Sequence, residues 1–448
     1  MKLKINRLSL NIKRFIILLF FMVFLLFSLS KFVFASNDNL ELQSKSVILV
    51  ENKTNKILYD KNANDRMFPA STTKIVTAIL VLEHCNLNAL VTADADSISS
   101  IPEGYLTANI TADEQLTVEQ LLELLLVHSA NDSANILAKY VAGSIDSFVS
   151  MMNEKANDLE LKNTHFTNTY GLQDPNHYTT AQDLSVIMQY CLKNSDFRRI
   201  SAMSFCSIPP TNKSGIRNYV ATNKLLVQDD SSYYKYATAG KTGFTTEAGD
   251  CLVSCAFKND IELICVVLGG STVDGISSRF SDSKILYEYG FKNFSIRNIV
   301  NSGDILTQIQ VSNASLNTKS LDLAFDSSLN TLVNNADLNT NYVPEIILND
   351  NISAPITKGT VLGKAIYNID GNSYTLNLIA THDVAPTNIV NFVSAIIIAM
   401  IMLIGTYLIF FTNKKSSENE WEKISRLIFK LTFTRCIWKN LIHDQDKI

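Results

Sequence analysis

The chain has 448 residues, of which 46% are hydrophobic and 18% are charged, and its formal net charge is −4. This length is enough for two or three domains, and the composition is typical of a globular protein. The small net charge excludes the strongly basic surface that nucleic-acid-binding proteins present, so no nucleic-acid partner is expected.

The chain begins with a basic stretch followed by an apolar run. Residues 15–34 are mostly apolar, and Phe34-Ala35 places a small residue where a signal peptidase cleaves. The pattern predicts a cleaved signal peptide over residues 1–35. An uncleaved anchor is the alternative because the apolar run is long, although Lys31 inside the run weakens that interpretation.

Helical and extended patterns alternate between residues 36 and 293. Apolar runs at 46–51 and 56–59 flank a polar turn and predict two strands. A helix that is apolar almost all round, and therefore buried, is predicted from near Ser71 to about residue 83. A capping-box pattern at Thr117 starts another helix, which ends near His128. Further helices are predicted at 131–141, 181–192 and 283–289.

Extended segments return at 252–257 and 262–268, joined by a polar three-residue turn that is typical of a hairpin. Strands therefore lie at both ends of this region, with helices between them. We predict an α+β domain over residues 36–293, in which the strands from the two ends form one antiparallel sheet. Residues 294–383 have short alternating segments without helical periodicity, which predict a separate small β-rich domain.

The last apolar segment, Ile389–Phe411, contains 23 residues and no charge. At 1.5 Å per residue it would extend ~35 Å, which exceeds the ~30 Å hydrocarbon core of a bilayer. Residues 412–448 carry 8 Lys/Arg against 5 Asp/Glu. The sequence therefore predicts a transmembrane helix with a cytoplasmic tail over 412–448, and it places residues 36–388 outside the cell membrane.

Seven cysteines are scattered along the chain without zinc-ligand spacing. Most are expected to be small buried residues, and neither a disulfide framework nor a metal site is predicted.

The first candidate catalytic element is Ser71-Thr72-Thr73-Lys74. If Ser71 begins a helix, Lys74 lies one turn further on the same face, where its amine can reach the hydroxyl. A lysine acts as a base only where burial or a neighbouring cation lowers its pKa. Residues 28–31 and 281–284 have the same spacing, so this pattern alone does not identify a nucleophile.

Two more elements carry suitable side chains. Ser129-Ala130-Asn131 places a hydroxyl and an amide at the predicted end of a helix, although residues 133–135 repeat the spacing. Lys241-Thr242-Gly243 leads into a predicted strand, where a cation and a hydroxyl can bind a carboxylate and the glycine leaves room for a substrate backbone. Each element alone also fits a structural role as a helix cap or a solvated turn.

Taken together, the three elements have the order S-x-x-K, S-x-N and K-T-G that is the signature of penicillin-binding proteins and class A β-lactamases. Over about residues 40–290 the chain resembles the D-alanyl-D-alanine carboxypeptidases, low-molecular-mass penicillin-binding proteins of peptidase family S11. Residues 294–383 are similar, more loosely, to the C-terminal domain of that family. Further matching blocks are Asn163-Thr164-His165-Phe166, Gly171-Leu172, His177-Tyr178-Thr179-Thr180-Ala181 and Thr222-Asn223-Lys224-Leu225-Leu226.

The resemblance implies a fold and a catalytic group. The fold would be that of the serine β-lactamases and transpeptidases. Ser71 would be the acylated nucleophile and Lys74 the base, while Ser129 and Asn131 would shuttle a proton and hold Lys74 and the substrate amide. His165 and His177 would be structural, because this lysine chemistry needs no imidazole. No cofactor is implied.

The resemblance also implies a substrate site. Lys241, helped by Thr242, would bind the terminal carboxylate of D-Ala, and the backbone N–H groups of Ser71 and Phe244 would form an oxyanion hole. The substrates would be peptidoglycan stem peptides, with β-lactam antibiotics as covalent inhibitors. Residues 238–240 depart from the family pattern, in which a glycine and then an apolar residue more often precede the lysine. The family's usual anchor is an amphipathic helix rather than a full span.

Two alternatives share these motifs. A class A β-lactamase would need a Glu between the second and third motifs, and no Glu occurs between Glu160 and Glu247. A β-lactam-sensing receptor would be acylated without turning over peptide, but a tail of 37 residues is too short for a protease or kinase module.

Overall fold

The structure, a computed structural model, describes residues 40–315, 317–387 and 389–411. The predicted signal peptide and the predicted cytoplasmic tail lie outside the described residues. The chain divides into two compact units. The first comprises the residues up to Arg297 together with Asn330–Thr340, and the second comprises Asn298–Leu329 and the residues from Asn341 onward.

Strands of the first part of the chain form its main sheet and several small hairpins. They are β1 (Ser46–Glu51), β2 (Ile57–Lys61), β3 (Leu90–Thr92), β4 (Gln115–Thr117), β5 (Phe205–Ile208), β6 (Arg217–Val220), β7 (Ala237–Thr245), β8 (Gly249–Lys258), β9 (Ile261–Gly270), β10 (Thr272–Val273), β11 (Ile276–Ser277) and β12 (Phe294–Val300). The main sheet has the order β2-β1-β9-β8-β7, and all its pairs are antiparallel. The prediction that the two ends of this region share one antiparallel sheet is therefore confirmed.

Helices fill the chain between these strands. They are α1 (Lys74–His84), α2 (Ala95–Ser99), α3 (Val118–Glu123), α4 (Asn131–Ala142), α5 (Ile145–Asp158), α6 (Ala181–Cys191), α7 (Ser195–Ser201) and α8 (Ser278–Asn293). A 3-10 turn, Ala70–Thr73, precedes α1, and a π-helical turn, Leu124–His128, extends α3. The predicted capping box is present, because Thr117 and Gln120 bond each other's backbone N–H groups.

The sheet is buried on both faces. Ile48 and Val50 of β1 pack into a core shared with α1, α4 and α6, whereas Val47 and Leu49 pack into a second core with α8. Successive side chains of a strand point to opposite faces, so this alternation divides β1 between two layers. The result is an α+β domain in which helices cover a central antiparallel sheet.

The edge strand β7 borders the start of α1. Helix α1 is buried over most of its surface, with Ile75, Ala78 and Val81 fully covered, as its apolar sequence predicted. The 3-10 turn in front of it packs against β7 and β8. This arrangement brings the first turn of a buried helix next to an open sheet edge.

The second unit contains a five-stranded antiparallel sheet of order β13-β14-β18-β17-β16. Its strands are β13 (Ile305–Gln310), β14 (Ser320–Phe325), β16 (Glu345–Leu348), β17 (Val361–Ile369) and β18 (Asn372–Ala380). The strand β15 (Leu329–Asn334) lies between β14 and β16 in the chain but pairs with β12. The prediction of a β-rich region after the α+β domain is confirmed.

Helix α9 (Ile389–Phe411) follows β18. Within the described residues, no helix combines the length and the hydropathy of a membrane span. The six described cysteines are free thiols, and five of them are buried, as expected for small core residues.

Candidate active site

Ser71 and Lys74 lie on consecutive turns at the start of α1, with their side chains in contact. Lys74 Nζ is 2.8 Å from Ser71 Oγ, 2.6 Å from Asn131 Oδ1 and 3.1 Å from the carbonyl oxygen of Tyr170. The lysine side chain is completely buried, whereas Ser71 is partly exposed and borders the cleft. The predicted pair is thus brought together, with an open side from which a substrate can approach the hydroxyl.

The partners of Lys74 fix the direction of a proton transfer. Asn131 Oδ1 and the Tyr170 carbonyl only accept hydrogen bonds, so they take both hydrogens of a neutral amine. The lone pair of that amine then faces Ser71 Oγ, which becomes the donor. This geometry suits an amine that removes the hydroxyl proton.

Burial favours the neutral form of the Lys74 amine. The pKa of Lys74 lies well below its ordinary value, first because the ammonium form is desolvated and then because the Lys241 cation repels it. The carboxylate of Asp132 acts in the opposite direction. Burial is therefore the main reason that Lys74 can act as a base near neutral pH.

The backbone before the nucleophile has an unusual conformation. Ala70 has a φ of 46°, in the left-handed region that residues with a side chain rarely adopt. Gly171 lies directly against it, since a Cβ on Gly171 would fall 1.8 Å from the Ala70 carbonyl oxygen. Such strain concentrates at functional sites, where the surrounding packing holds it.

Ser129 and Asn131 stand where the π-helical turn ends and α4 begins. Ser129 has a φ of 70°, which breaks the helix and turns its side chain towards β7. The amide of Asn131 contacts Lys74, and Ser129 Oγ is 2.9 Å from Lys241 Nζ. The second motif thus contacts the lysines of the first and third motifs.

Lys241 and Thr242 lie on the edge strand β7. Lys241 Nζ donates to Ser129 Oγ and to the carbonyl of Thr242, and Thr242 Oγ1 donates to Thr222 Oγ1 at 2.7 Å. Burial, followed by repulsion from the Arg279 cation, lowers the pKa of Lys241 to about 7. Adjacent residues of the edge strand thus carry an amine and a hydroxyl, which are the kinds of group that bind a carboxylate.

Arg279, from the start of α8, supports the same strand. Its guanidinium donates to the Gly243 carbonyl at 2.8 Å and pairs with Asp250. Asp250 also accepts from the hydroxyls of Thr272 and Ser277. Burial lowers the pKa of Arg279 to about 10, and it remains a cation at neutral pH.

Gly243 lies against the nucleophile's backbone. A Cβ at this position would be 2.9 Å from the Ser71 nitrogen and 2.8 Å from the Pro69 carbonyl oxygen. Its neighbour Phe244 is 63% exposed, so its side chain lies open to solvent at the cleft. The absence of a side chain at 243 keeps the backbone N–H of Ser71 uncovered.

A cleft of about 750 Å³ connects these groups, with Ser71, Ser129, Asn131, Thr242 and Phe244 in its wall. Lys74 and Lys241 lie behind that wall, each at most 1% exposed. The structure thus places all seven predicted site residues in or directly behind one cleft. Among the described residues, no group of three or more His, Cys, Asp and Glu side chains is arranged to hold a metal ion.

Two segments of the described chain, residues 133–135 and 281–284, repeat the spacing of a motif, and we call them decoys. Their side chains have hydrogen-bond partners away from the cleft. Ser133 Oγ donates to the Leu121 carbonyl, and Asn135 accepts from Thr169. Lys284 reaches the carbonyl of Ser231 from the surface of α8. The side chains of Ser133 and Asn135 therefore have a packing role, and that of Lys284 lies at the surface.

The two histidines predicted to be structural also lie outside the cleft wall. His177 is buried, and its Nδ1 accepts from the Thr167 N–H, so its Nε2–H faces Thr73 Oγ1. Burial lowers the pKa of His177 to about 4. His165 bonds the carbonyl of Asn176 near the surface. Neither ring contacts Ser71 or Lys74.

Sequence reasoning did not identify three contributors to the site. Tyr170 precedes the recognised block Gly171-Leu172, and Thr222 begins the recognised block Thr222-Asn223-Lys224-Leu225-Leu226 without having been assigned a role in the site, so these blocks were an available signal. Arg279 is a single cation in a polar stretch, far from the motif it supports. No pattern in the sequence marks it.

Comparisons with known proteins point to a single family. A family model described as D-alanyl-D-alanine carboxypeptidase matches residues 33–272, and one described as the C-terminal domain of penicillin-binding protein 5 matches residues 294–386. The chain is 30% identical over 331 residues to the D-alanyl-D-alanine carboxypeptidase DacF of Bacillus subtilis, covering 73% of this chain and 82% of that protein.

Similar relatives include the D-alanyl-D-alanine carboxypeptidase DacA of Escherichia coli, at 28% identity over 348 residues, covering 74% of this chain and 81% of that protein. The crystal structure of penicillin-binding protein 5 from Haemophilus influenzae matches with a TM-score of 0.60 and 26% identity. That match covers 77% of this chain and 98% of the solved chain.

Proposed function

The chain belongs to the D-alanyl-D-alanine carboxypeptidases of peptidase family S11, and we propose that its reaction proceeds through an acyl-enzyme on Ser71. It is a serine D-Ala-D-Ala carboxypeptidase of the penicillin-binding type, acting on peptidoglycan peptides. The observation that carries the proposal is the buried Lys74 amine, which lies between Ser71 Oγ and two pure acceptors. The substrate is the stem pentapeptide, from which the terminal D-Ala is removed.

In the acylation step, Lys74 takes the hydroxyl proton as Ser71 Oγ bonds to the carbonyl carbon of the penultimate D-Ala. The C–N bond to the terminal D-Ala then breaks, and the leaving nitrogen takes a proton. Ser129, whose oxygen accepts from Lys241, is suited to relay it: its hydroxyl gives its hydrogen to the nitrogen and takes up the proton that Lys74 acquired, so Lys74 is neutral again in the acyl-enzyme. The N–H groups of Ser71 and Phe244 bind the oxyanion, each worth roughly 10²–10³ in rate.

Deacylation uses the same groups. A water molecule attacks the ester carbonyl and gives a proton to Lys74. As the ester bond to Ser71 breaks, Lys74 returns this proton to the Ser71 oxygen, which is released as a hydroxyl. No Glu lies between Glu160 and Glu247 that could act as a separate base for this water. Glu247 lines the cleft, but it follows the third motif and is exposed. Slow deacylation of a penicilloyl group is therefore expected.

Substrate binding involves the sheet edge. The terminal carboxylate of D-Ala is held by the Lys241 ammonium and the Thr242 hydroxyl, which come from adjacent residues of β7. A carboxylate shared between a cation and a hydroxyl makes charge-assisted bonds that a neutral amide terminus lacks. The substrate amide meets Asn131, whose oxygen remains bonded to Lys74.

The domain division and the membrane anchor also belong to this proposal. The catalytic domain is assigned to residues 36–293 and the β-rich domain to 294–383, after a signal peptide at 1–35. Helix α9 is assigned as a transmembrane anchor, with residues 412–448 in the cytoplasm. The 23 uncharged residues of Ile389–Phe411 support this, and so do exposed apolar side chains such as Met402 and Leu403, at 65% and 68%.

Mass spectrometry of the full-length protein in detergent tests the enzymatic proposal. Incubation with a stem pentapeptide should release one D-Ala, and penicillin should leave a long-lived adduct on the peptide that contains Ser71. Ser71→Ala should abolish both results. The matched control is Ser281→Ala, which changes the serine of a decoy with the same spacing and should leave both unchanged. Rapid turnover of penicillin would contradict the carboxypeptidase assignment.

Fractionation of cells tests the anchor. The full chain should sediment with membranes and resist extraction with salt, whereas a chain that ends after Thr387 should be released into the extracytoplasmic fraction. Recovery of both forms in the same soluble fraction would refute the assignment of α9.

A further inference from the structure

A segment without helix or strand, residues 104–111, runs alongside the active-site cleft, and we call it the strap. Gly104, Tyr105 and Leu106, at its start, line the cleft opposite β7. Both Tyr105 and Leu106 are more than one-third exposed, so the part that meets a substrate has little packing of its own. The position of the strap must therefore be set by contacts made further along it.

Asp132, the residue after the second motif, supplies much of that fixation. Its carboxylate is 1% exposed and accepts the backbone N–H of Ala108 on both oxygens at 3.0 Å, and that of Ile110 at 3.1 Å. It also accepts the N–H of Ser133 at 2.9 Å. Three backbone N–H groups thus converge on one buried carboxylate, and two of them belong to the strap.

Asn131 strengthens the same connection, since its N–H donates to the Leu106 carbonyl at 3.0 Å. Position 131 therefore contacts Lys74 through its side chain and the strap through its backbone. The far end of the strap is held separately by Glu114, which accepts the Thr111 N–H at 3.1 Å. Glu114 is also fully buried and pairs with Arg217.

The charge of Asp132 also acts on the catalytic lysine. Lys74 is faced by the Lys241 cation from β7, by the Tyr170 ring at 5.6 Å and by the Asp132 charge from α4. Of these, the Asp132 charge favours the ammonium form and raises the pKa of Lys74 against the larger effect of burial. The Asp132 charge also acts to raise the pKa values of its neighbours His128 and Tyr219.

We propose that Asp132 is a positioning residue for catalysis: its carboxylate ties the strap to the second motif and places a negative charge behind Lys74. The proposal rests on the proposed function, in which Lys74 is the base. One side chain then contributes to both the position of the strap and the base strength of Lys74. A substitution of Asp132 that removes its charge should therefore loosen the strap and change the pKa of Lys74 at the same time.

Replacement by asparagine separates this role from simple packing. The Ala108 N–H is shared by both oxygens of Asp132, while Ser133 donates to one oxygen and Ile110 to the other. In Asp132→Asn an NH₂ group replaces one of these oxygens. Whichever way the new amide is oriented, this NH₂ group faces backbone N–H donors that it cannot bond. Asp132→Asn should release the strap and raise KM for the peptide about tenfold or more, since small misplacements around a substrate carry large rate costs. Losing the charge should also lower the pKa of Lys74 further.

The pH profile reports that second effect. Peptide cleavage and penicillin acylation require neutral Lys74, so their rates rise with pH through its pKa. In Asp132→Asn this rising limb should move to lower pH. Asp132→Glu keeps the charge but displaces the carboxylate, so KM should rise while the limb stays where it is in the unmodified enzyme.

Two controls match the perturbation. Asp282→Asn neutralises another carboxylate that is 1% exposed and accepts a backbone N–H, that of Ser44, but it does not act on Lys74. It should change neither KM nor the rising limb. Glu114→Gln loosens the other end of the strap without removing a charge that acts on Lys74, so it should raise KM and leave the limb unmoved.

The measurement is D-Ala release by full-length protein in detergent between pH 5 and 9, with acylation by labelled penicillin to count intact sites. A shifted limb together with a raised KM in Asp132→Asn supports the proposal. An unshifted limb, with or without a change in KM, overturns it. If Asp132→Asn does not fold, an Asp132→Glu enzyme with wild-type KM overturns it. Failure of the unmodified protein to release D-Ala would instead refute the proposed function.

Discussion

Replacing Gly243 with alanine tests the proposed oxyanion hole at its narrowest point. The new methyl group would lie 2.8 Å from the Pro69 carbonyl oxygen, 2.9 Å from the Ser71 nitrogen and 3.1 Å from the Ala70 Cβ. Ordinary contacts of such a carbon begin near 3.4 Å, so β7 and the turn must separate by about half an ångström. Two of the three atoms belong to the backbone, which rotamer changes cannot move.

The expected cost follows from what that separation disrupts. The N–H groups of Ser71 and Phe244, one on each side of the contact, would no longer converge on a single oxygen. Losing one oxyanion donor typically lowers the rate by about 10²–10³. We therefore expect Gly243→Ala to slow both acylation by penicillin and D-Ala release by that factor. Overpacking should also cost about 1–3 kcal/mol of stability.

A matched control separates the local effect from general strain. In Gly363→Ala the new methyl group would lie 2.6 Å from the Ile347 carbonyl oxygen, a comparable backbone clash in a strand of the second unit. That variant should lose stability but keep the wild-type rate of acylation. The assay is stopped-flow acylation of the full-length protein with a fluorescent penicillin, alongside thermal unfolding. A wild-type acylation rate in Gly243→Ala would refute the proposed oxyanion geometry.

Three further predictions follow from the same contacts. Lys74→Ala should abolish both penicillin acylation and peptide cleavage, whereas Lys284→Ala, in the decoy, should change neither in the mass-spectrometric assay. Because the pKa of Lys241 is about 7 and carboxylate binding needs its ammonium form, KM for the peptide should rise as the pH increases above about 7; Arg279→Met removes a repelling cation and should move that rise to higher pH in steady-state kinetics. The pKa of His177 is about 4 in the folded protein, against ~6.5 in the unfolded chain. Between these pH values the unfolded chain binds one more proton than the folded protein, so roughly 3 kcal/mol of stability should be lost as the pH falls from 6.5 to 4. Urea unfolding at several pH values should show this slope, and His177→Gln should flatten it.

Local patterns were sufficient to predict most of the fold. The apolar surface of α1 and the capping box at Thr117 depend on residues within a turn or two of each other, so the sequence carries them directly. The sharing of one antiparallel sheet by the strands at the two ends of the α+β region was predicted, although the pairing of β1 with β9 that joins them was not. Recognition of three ordered motifs then identified the seven predicted site residues.

Contacts between distant segments were not predictable in this way. The Ala70 backbone adopts its left-handed conformation against Gly171, which is 101 residues further along the chain. Arg279 supports Gly243 from a helix whose sequence resembles a solvated stretch. Such pairings arise from tertiary packing, and neither partner has a local pattern that points to the other.

The two buried lysines show how packing and chemistry depend on each other at this site. Neither Lys74 nor Lys241 has a carboxylate within its hydrogen-bonding group, since their described partners are hydroxyl, amide and carbonyl oxygens. An ion pair would hold each lysine as an ammonium, and then Lys74 could not accept a proton. Desolvation instead keeps the base accessible, so water that enters behind Ser71 would restore the ammonium form. For this reason the strand, the turn and the strap around Lys74 contribute to its basicity as well as to its position.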